Sequence, residues 1–335
     1  MKRNHKSTYL IIAILCLILL NIGSMAIILG KNIENIKEDR AGFFYRVRTS
    51  FNISKLTREV FGNLFIKDSK EIEIINYDEL EMIDDFMIIN EIEELENLII
   101  VKDSQGKHMV ENIPELLKLK KINYNKDKPY IFMYHTHATE AFMPYEGNQH
   151  HNPDNNKNMV RVGSTLAKVL EASGHNIIHE KTHHDRPSYN QSYSRSLYTL
   201  NKVMEEESNL KIFLDLHRDG IEMDHPNAEK RLEAFKAKIN GIDTATFSLV
   251  VGPHSDNYDK VLGFAKYIKA VSDILYPDLC TGIIIKKVGK FNQFVSDYTA
   301  LLEIGSNGNT LDEALECVKL VGEVLDTAIR GISEE

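Results

Sequence analysis

Apolar residues follow two patterns along the chain. The first is one unbroken stretch, Tyr9 to Gly30, whose polar interruptions are Asn21 and Ser24. Roughly 20 apolar residues is the length a helix needs to cross a bilayer, so a transmembrane anchor is expected here. Lys2, Arg3, His5 and Lys6 precede it. Positive flanks stay on the cytoplasmic side, which puts the rest of a single-pass chain outside the cell membrane. A cleaved signal peptide is the competing reading. Ser24-Met25-Ala26 resembles a cleavage site, but Ile27, Ile28 and Leu29 continue the apolar run past it, and a signal core spans only about 7–15 residues.

The second pattern begins at Pro129. Short apolar runs recur at Tyr130–Tyr134, Asn176–His179, Lys211–Leu216, Phe247–Val251, Gly282–Ile285 and Ala300–Ile304, mostly without alternation. Such runs fit strands buried on both faces of a sheet. Between them lie stripes at helical spacing: Met159 to Leu170 with Gly174 as a stop, Val261 to Val271, and Leu311 to Leu325. Strands alternating with helices predict an α/β fold, a mostly parallel twisted sheet with helices on both faces. Residues 31–127 are charged and mixed, with acidic runs that read as solvated faces of a membrane-proximal region. Asn123 to Pro129 reads as a linker, leaving 128–330 as a domain of its own.

Net charge of −9 argues against nucleic acid as a partner. The three cysteines form no Cys-x-x-Cys and no readable disulfide framework. No phosphate loop, dinucleotide fingerprint or serine-nucleophile elbow is present.

In such open sheets, sites gather at the carboxyl ends of strands. The first run leads into His135-Thr136-His137-Ala138-Thr139-Glu140, the third into Asp215-Leu216-His217-Arg218-Asp219, and the last contains Glu303. Imidazole and carboxylate are the usual ligands of a catalytic zinc ion. His137, Glu140 and His217 are the expected ligands. His135 lies two positions from His137, so strand parity alone does not separate the two. Glu303, within Leu301-Leu302-Glu303-Ile304, is the candidate general base, since burial raises a carboxyl toward the operating pH. His150, His151, His183 and His184 are weaker ligand candidates. Arg195, Arg218 and Asn307 are candidate substrate-binding residues.

At these residues the chain resembles a known family. Tyr134-His135-Thr136-His137-x-x-Glu140, Arg161-Val162-Gly163, the segment Lys181 to Asn190, Tyr193-Ser194-Arg195-Ser196, Asp215 to Asp219 and Glu303 to Thr310 are similar to stage II sporulation protein P. The resemblance covers roughly 128–330. It implies a membrane-anchored, zinc-dependent N-acetylmuramoyl-L-alanine amidase with a zinc amidase-like fold. It also implies a role in septal wall thinning and engulfment, with peptidoglycan as substrate and stage II sporulation proteins D and M as partners. In related amidases a glutamate at the start of the first catalytic-domain helix binds zinc. Here that helix begins near Asn158 without one, and Glu140 stands in its place. A zinc peptidase acting within the stem peptide would use the same residues; a noncatalytic peptidoglycan-binding scaffold is the other alternative, which the ligand set with Glu303 argues against.

Overall fold

The computed structural model describes residues 86–334 apart from 93–94, 146–149 and 223–227. The expected anchor at Tyr9–Gly30 lies outside them, and among the described residues no helix is long and apolar enough to cross a membrane. In chain order the strands are β1 Phe86–Ile89, β2 Ile99–Lys102, β3 His108–Asn112, β4 Ile131–Tyr134, β5 Ile177–His179, β6 Ile212–Asp219, β7 Lys236–Ile239, β8 Ile242–Ala245, β9 Phe247–Val251, β10 Cys280–Lys286 and β11 Tyr298–Ser306. The helices are α1 Met159–Ala172, α2 Ser192–Glu206, α3 Ala228–Ala234, α4 Tyr258–Leu275 and α5 Leu311–Ile332.

A seven-stranded sheet runs in the order β1-β10-β9-β11-β6-β4-β5. Pairing is parallel for β10–β9, β11–β6, β4–β6 and β4–β5. It is antiparallel for β9–β11 and β1–β10. The departure from a wholly parallel sheet follows from the β10–β11 connection. Residues 287–297 hold only a short 3-10 turn, Gln293–Val295. A parallel return takes a crossover of about a dozen residues or more, usually helical. Lacking one, β11 runs opposite to β10 with β9 between them.

Helices cover the two faces unequally. Ile131, Met133, Leu214, Leu249, Leu302 and Ile304 face one side and join a single buried cluster with residues of α1, α4 and α5. Leu166 and Leu170 of α1 are completely buried there, and each such side chain contributes about 1.5–3 kcal/mol. On the opposite side Phe132, Tyr134 and Phe213 pack beneath Leu200 of α2. That helix packs on the β4 and β6 side through Leu200, and its Tyr193 reaches the cleft. Over β11, β9 and β10 the same face carries Leu301, Glu303, Val250 and Lys286, which line an open cleft. Cys280 and Cys317 are buried free thiols.

Residues 86–127, read from sequence as part of a membrane-proximal region, fall in the same compact unit as the rest, Glu81–Glu335. β1 hydrogen-bonds to the free edge of β10, and Ile92, Leu98 and Leu117 enter the core. Short apolar runs flanked by acidic residues carry too little periodicity to reveal this. The polar stretch read as a linker is also tied down. Ile122 exchanges backbone hydrogen bonds with Ile332 and Glu334, and Tyr124 stacks on Tyr130 at 3.7 Å.

Beside it, the His175 ring links Tyr130 and Asp326: Nδ1 lies 2.6 Å from the tyrosine oxygen and Nε2 lies 2.7 Å from Asp326 Oδ1. Burial pushes the Asp326 carboxyl up, but the His175 hydrogen bond and the Arg330 charge outweigh it and hold the group below its ordinary value. A depressed folded pKa gives stability that is present above the ordinary carboxylate pKa and lost as pH falls through the folded one. Asp326→Asn is therefore expected to lower Tm at neutral pH and to flatten its acid decline, read by thermal unfolding across pH.

Candidate active site

The turn after β4 carries the first two candidate ligands. Thr136 donates its N–H to Asp215 Oδ1 at 2.8 Å and its hydroxyl to Oδ2 at 2.7 Å. Thr139 donates its N–H and hydroxyl to Asp185 Oδ2 at 3.0 and 2.5 Å. Two buried carboxylates thus grip the turn on either side of His137 and Ala138. The turn also docks on the start of α1: Met159 N–H donates to the Glu140 carbonyl at 3.0 Å, and the Asn158 side chain caps the helix at Val160. Glu140 therefore sits at the very helix start where the sequence offers no glutamate.

His137, Glu140 and His217 are all buried, and one ligand-type atom from each lies within 4.8 Å of the others. His137 Nδ1 is 3.5 Å from Glu140 Oε1, and His217 Nδ1 is 3.7 Å from Glu140 Oε2. His217 Nε2 is 3.0 Å from Asp215 Oδ1, a contact distance without hydrogen-bond alignment. Burial raises the Glu140 carboxyl, but the His137 hydrogen bond and the Arg218 and His217 charges dominate and hold it down at about 2. Burial lowers His217, and the Asp215 and Glu140 carboxylates overcome this and push it up to about 10. The field of this cluster thus strongly favours a positive charge.

Glu303 on β11 is the register partner of His217 on β6 and of Ser248 on β9. Register partners share a face, so the carboxylate lies beside the cluster, on the sheet face rather than beyond the strand end. Its Oε2 has no hydrogen-bond partner among the described residues. Burial is the main influence on it, and with Asp219 and Glu140 nearby it outweighs His217 and raises the group to about 8. Gly305, at φ +64°, makes the bulge that follows, and Asn309 and Thr310 start α5 with a capping box to Glu313. The Glu303-to-Thr310 motif is thus largely the exit of one strand into one helix.

His135 takes a different path from His137. β4 ends at Tyr134, so the two-residue parity of a strand does not apply. Its Nδ1–H donates to the Leu216 carbonyl at 3.1 Å, and its Nε2 meets His179 Nε2 at 2.9 Å. Burial holds His135 at about 4 and His179 at about 3, a neutral pair. The pair fits against Gly163 of α1, where a Cβ would lie 2.6 Å from the His135 ring and 2.7 Å from His179. Gly163→Ala is expected to cost about 1–3 kcal/mol through overpacking, measured by denaturant unfolding.

The remaining candidates divide. Arg218 lines the cleft, and its guanidinium donates to the Ala141 carbonyl at 3.1 Å and the His150 carbonyl at 2.8 Å, tying both residues to β6. Asn307 lines the cleft and exchanges two hydrogen bonds with Ile221, each 2.9 Å. Arg195 does not line it; its Nε donates to the His184 carbonyl at 2.5 Å and it also bonds the Ser188 carbonyl. His184 is buried and donates to the His135 carbonyl, while His183 reaches Asn155. His150 and His151 line the cleft. Tyr189, within the motif segment Lys181 to Asn190, lines the cleft; its ring stacks on His137 at 4.0 Å and its hydroxyl is 3.1 Å from His137 Nδ1. The cleft holds about 770 Å³.

The family model of stage II sporulation protein P matches residues 58–326. The chain belongs to the stage II sporulation protein P family. Stage II sporulation protein P of Bacillus subtilis (strain 168) is 26% identical over 212 residues, 59% of this chain and 50% of that protein. The chain thus spans about half the length of the curated relative it matches. Among solved structures, the CwlD amidase of Clostridioides difficile in complex with the GerS lipoprotein is 12% identical, with a TM-score of 0.35, covering 60% of this chain and 94% of that one. The N-acetylmuramoyl-L-alanine amidase AmiC2 of Nostoc punctiforme is 12% identical, with a TM-score of 0.32, covering 62% and 97%.

Two imidazoles and a carboxylate suit zinc, and the field that loads a proton onto His217 suits a cation equally. Asp215 stands 3.0 Å behind His217 Nε2, on the side where a carboxylate partners a metal-ligating histidine. The residues present therefore fit the metal implied by the family resemblance.

Proposed function

We propose that the chain is a zinc-dependent N-acetylmuramoyl-L-alanine amidase, cleaving the amide between the lactyl group of N-acetylmuramic acid and L-alanine of the stem peptide. The observation that carries this reading is the buried His137–Glu140–His217 cluster with Glu303 in register beside it, its Oε2 without a hydrogen-bond partner among the described residues, all on one open cleft. His137, Glu140 and His217 would hold the metal, which when bound supplies a polarising charge for the scissile carbonyl and acidifies water. Glu303 accepts a proton from the attacking water at its free Oε2. It then returns that proton to the departing alanine nitrogen, leaving a lactyl carboxylate and a peptide with a free amino terminus. Asp215 supplies negative charge behind His217, and Arg218 ties Ala141 and His150 to β6. The family supports a setting in sporulation. We place the chain at the cell membrane through Tyr9–Gly30, with 128–330 on the wall side and stage II sporulation proteins D and M as partners.

Digestion of purified peptidoglycan tests the reading. New amino-terminal alanine, with muramic acid freed of peptide, is the expected product. Stems cut internally would assign a peptidase instead, and an unchanged wall would leave a binding scaffold.

A further inference from the structure

Asp185 does more than grip Thr139. It is 6% exposed, and both Thr139 donors go to its Oδ2. Its Oδ1 is buried with no hydrogen-bond partner among the described residues. Carboxylate oxygens in that position are costly unless something arrives to meet them. Asp185 lines a second cavity, of about 700 Å³, together with Thr139, His151, Arg186, Pro187 and Tyr189. His151 and Tyr189 line the catalytic cleft as well. The two spaces thus share His151 and Tyr189 in their linings.

A carboxylate oxygen lacking a donor beside an aromatic ring suits a protonated amine. An ammonium group brings three N–H donors, and a tyrosine face attracts the same cation. A metal ion suits it poorly, because among the described residues the His137–Glu140–His217 group is the metal-type cluster and Asp185 is not part of it. We propose that Asp185 and Tyr189 form a subsite for a protonated side-chain amine on the stem peptide. The identity of the peptide rests on the amidase reading; the amine chemistry rests on the cavity alone. The sugar offers no such group, since its nitrogen is acylated, whereas the diamino acid of a stem peptide does.

Binding rather than turnover tests the subsite. The probes are N-acetyl-L-alanyl-γ-D-glutamyl-L-lysine and its Nε-acetylated form, titrated by calorimetry into the full chain. The acetylated probe is expected to bind about tenfold more weakly, equivalent to about 1.4 kcal/mol. In Asp185→Asn, which keeps an acceptor for Thr139 and removes the charge, the two probes should bind alike. Tyr189→Leu gives an independent reading that leaves the Thr139 contacts untouched, and should also narrow the difference. Equal binding of both probes to the unmodified chain, no binding of either, or full discrimination retained in the variants would each overturn the subsite. Peptidoglycan digestion is assayed in parallel. Cleavage without amine discrimination refutes the subsite alone, and discrimination without cleavage refutes the amidase reading alone.

Discussion

Replacing Glu303 with Gln is expected to abolish amide cleavage while leaving the metal content of the protein unchanged. Glutamine keeps the shape and the acceptor oxygen but cannot take a proton. General acid–base catalysis by one positioned group contributes about 10²- to 10⁴-fold, so a loss in that range is expected in kcat. Zinc content should hold because Glu303 is separate from the His137–Glu140–His217 group. The variant should also fold at least as well as the parent. Burial already makes ionisation of Glu303 unfavourable, raising it to about 8, and a neutral amide avoids that cost. Parallel measurements of turnover, zinc by elemental analysis and Tm check all three. Parental turnover in Glu303→Gln would remove the residue from the proton-transfer role.

Replacing His217 with Ala is expected to lose both metal and activity. His217 belongs to the only cluster of this kind among the described residues, so two ligands would remain where a catalytic zinc takes three. The loss has a second source. Asp215 is fully buried beside Thr136 and His217, and removing the imidazole leaves its carboxylate with less positive field. Folding should therefore weaken along with metal binding. Asp215→Asn separates the two effects. It keeps a side chain at the Thr136 turn but removes the charge behind His217, and loss of an outer-shell partner typically costs about 10- to 100-fold in metal affinity or activity. A chelator series on the parent, with zinc added back, gives the reference. Full zinc content in His217→Ala would sink the ligand assignment.

Much of this site could be read in the chain because each polar group interrupts an otherwise apolar strand or follows its end. Asp215 breaks Ile212–Leu216, His217 follows it, and Glu303 breaks Ala300–Ile304. Polar groups at such places have few bland explanations. What sequence could not show depends on who meets whom across the fold. His135 and His137 look equivalent until β4 is seen to stop at Tyr134, after which the turn carries them apart. Arg195 looks available until its guanidinium is found spent on the carbonyls of His184 and Ser188. Asp185 follows a histidine pair in a motif segment, but only the fold brings it to Thr139. The fold shows the same division. Runs of Ile, Val and Leu announced the buried strands, but strand direction at β9–β11 was set by the length of a connection rather than by periodicity.

The uneven covering of the sheet has a consequence for what the molecule can grip. Leu301, Glu303, Val250 and Lys286 leave this part of the sheet face lining an open cleft rather than an enclosed cavity. Long polymers can be laid into such a cleft from the side, at any point along their length. No free end has to be found and threaded. Cuts are therefore expected throughout a meshwork from the first minutes of exposure, with large fragments released before small ones.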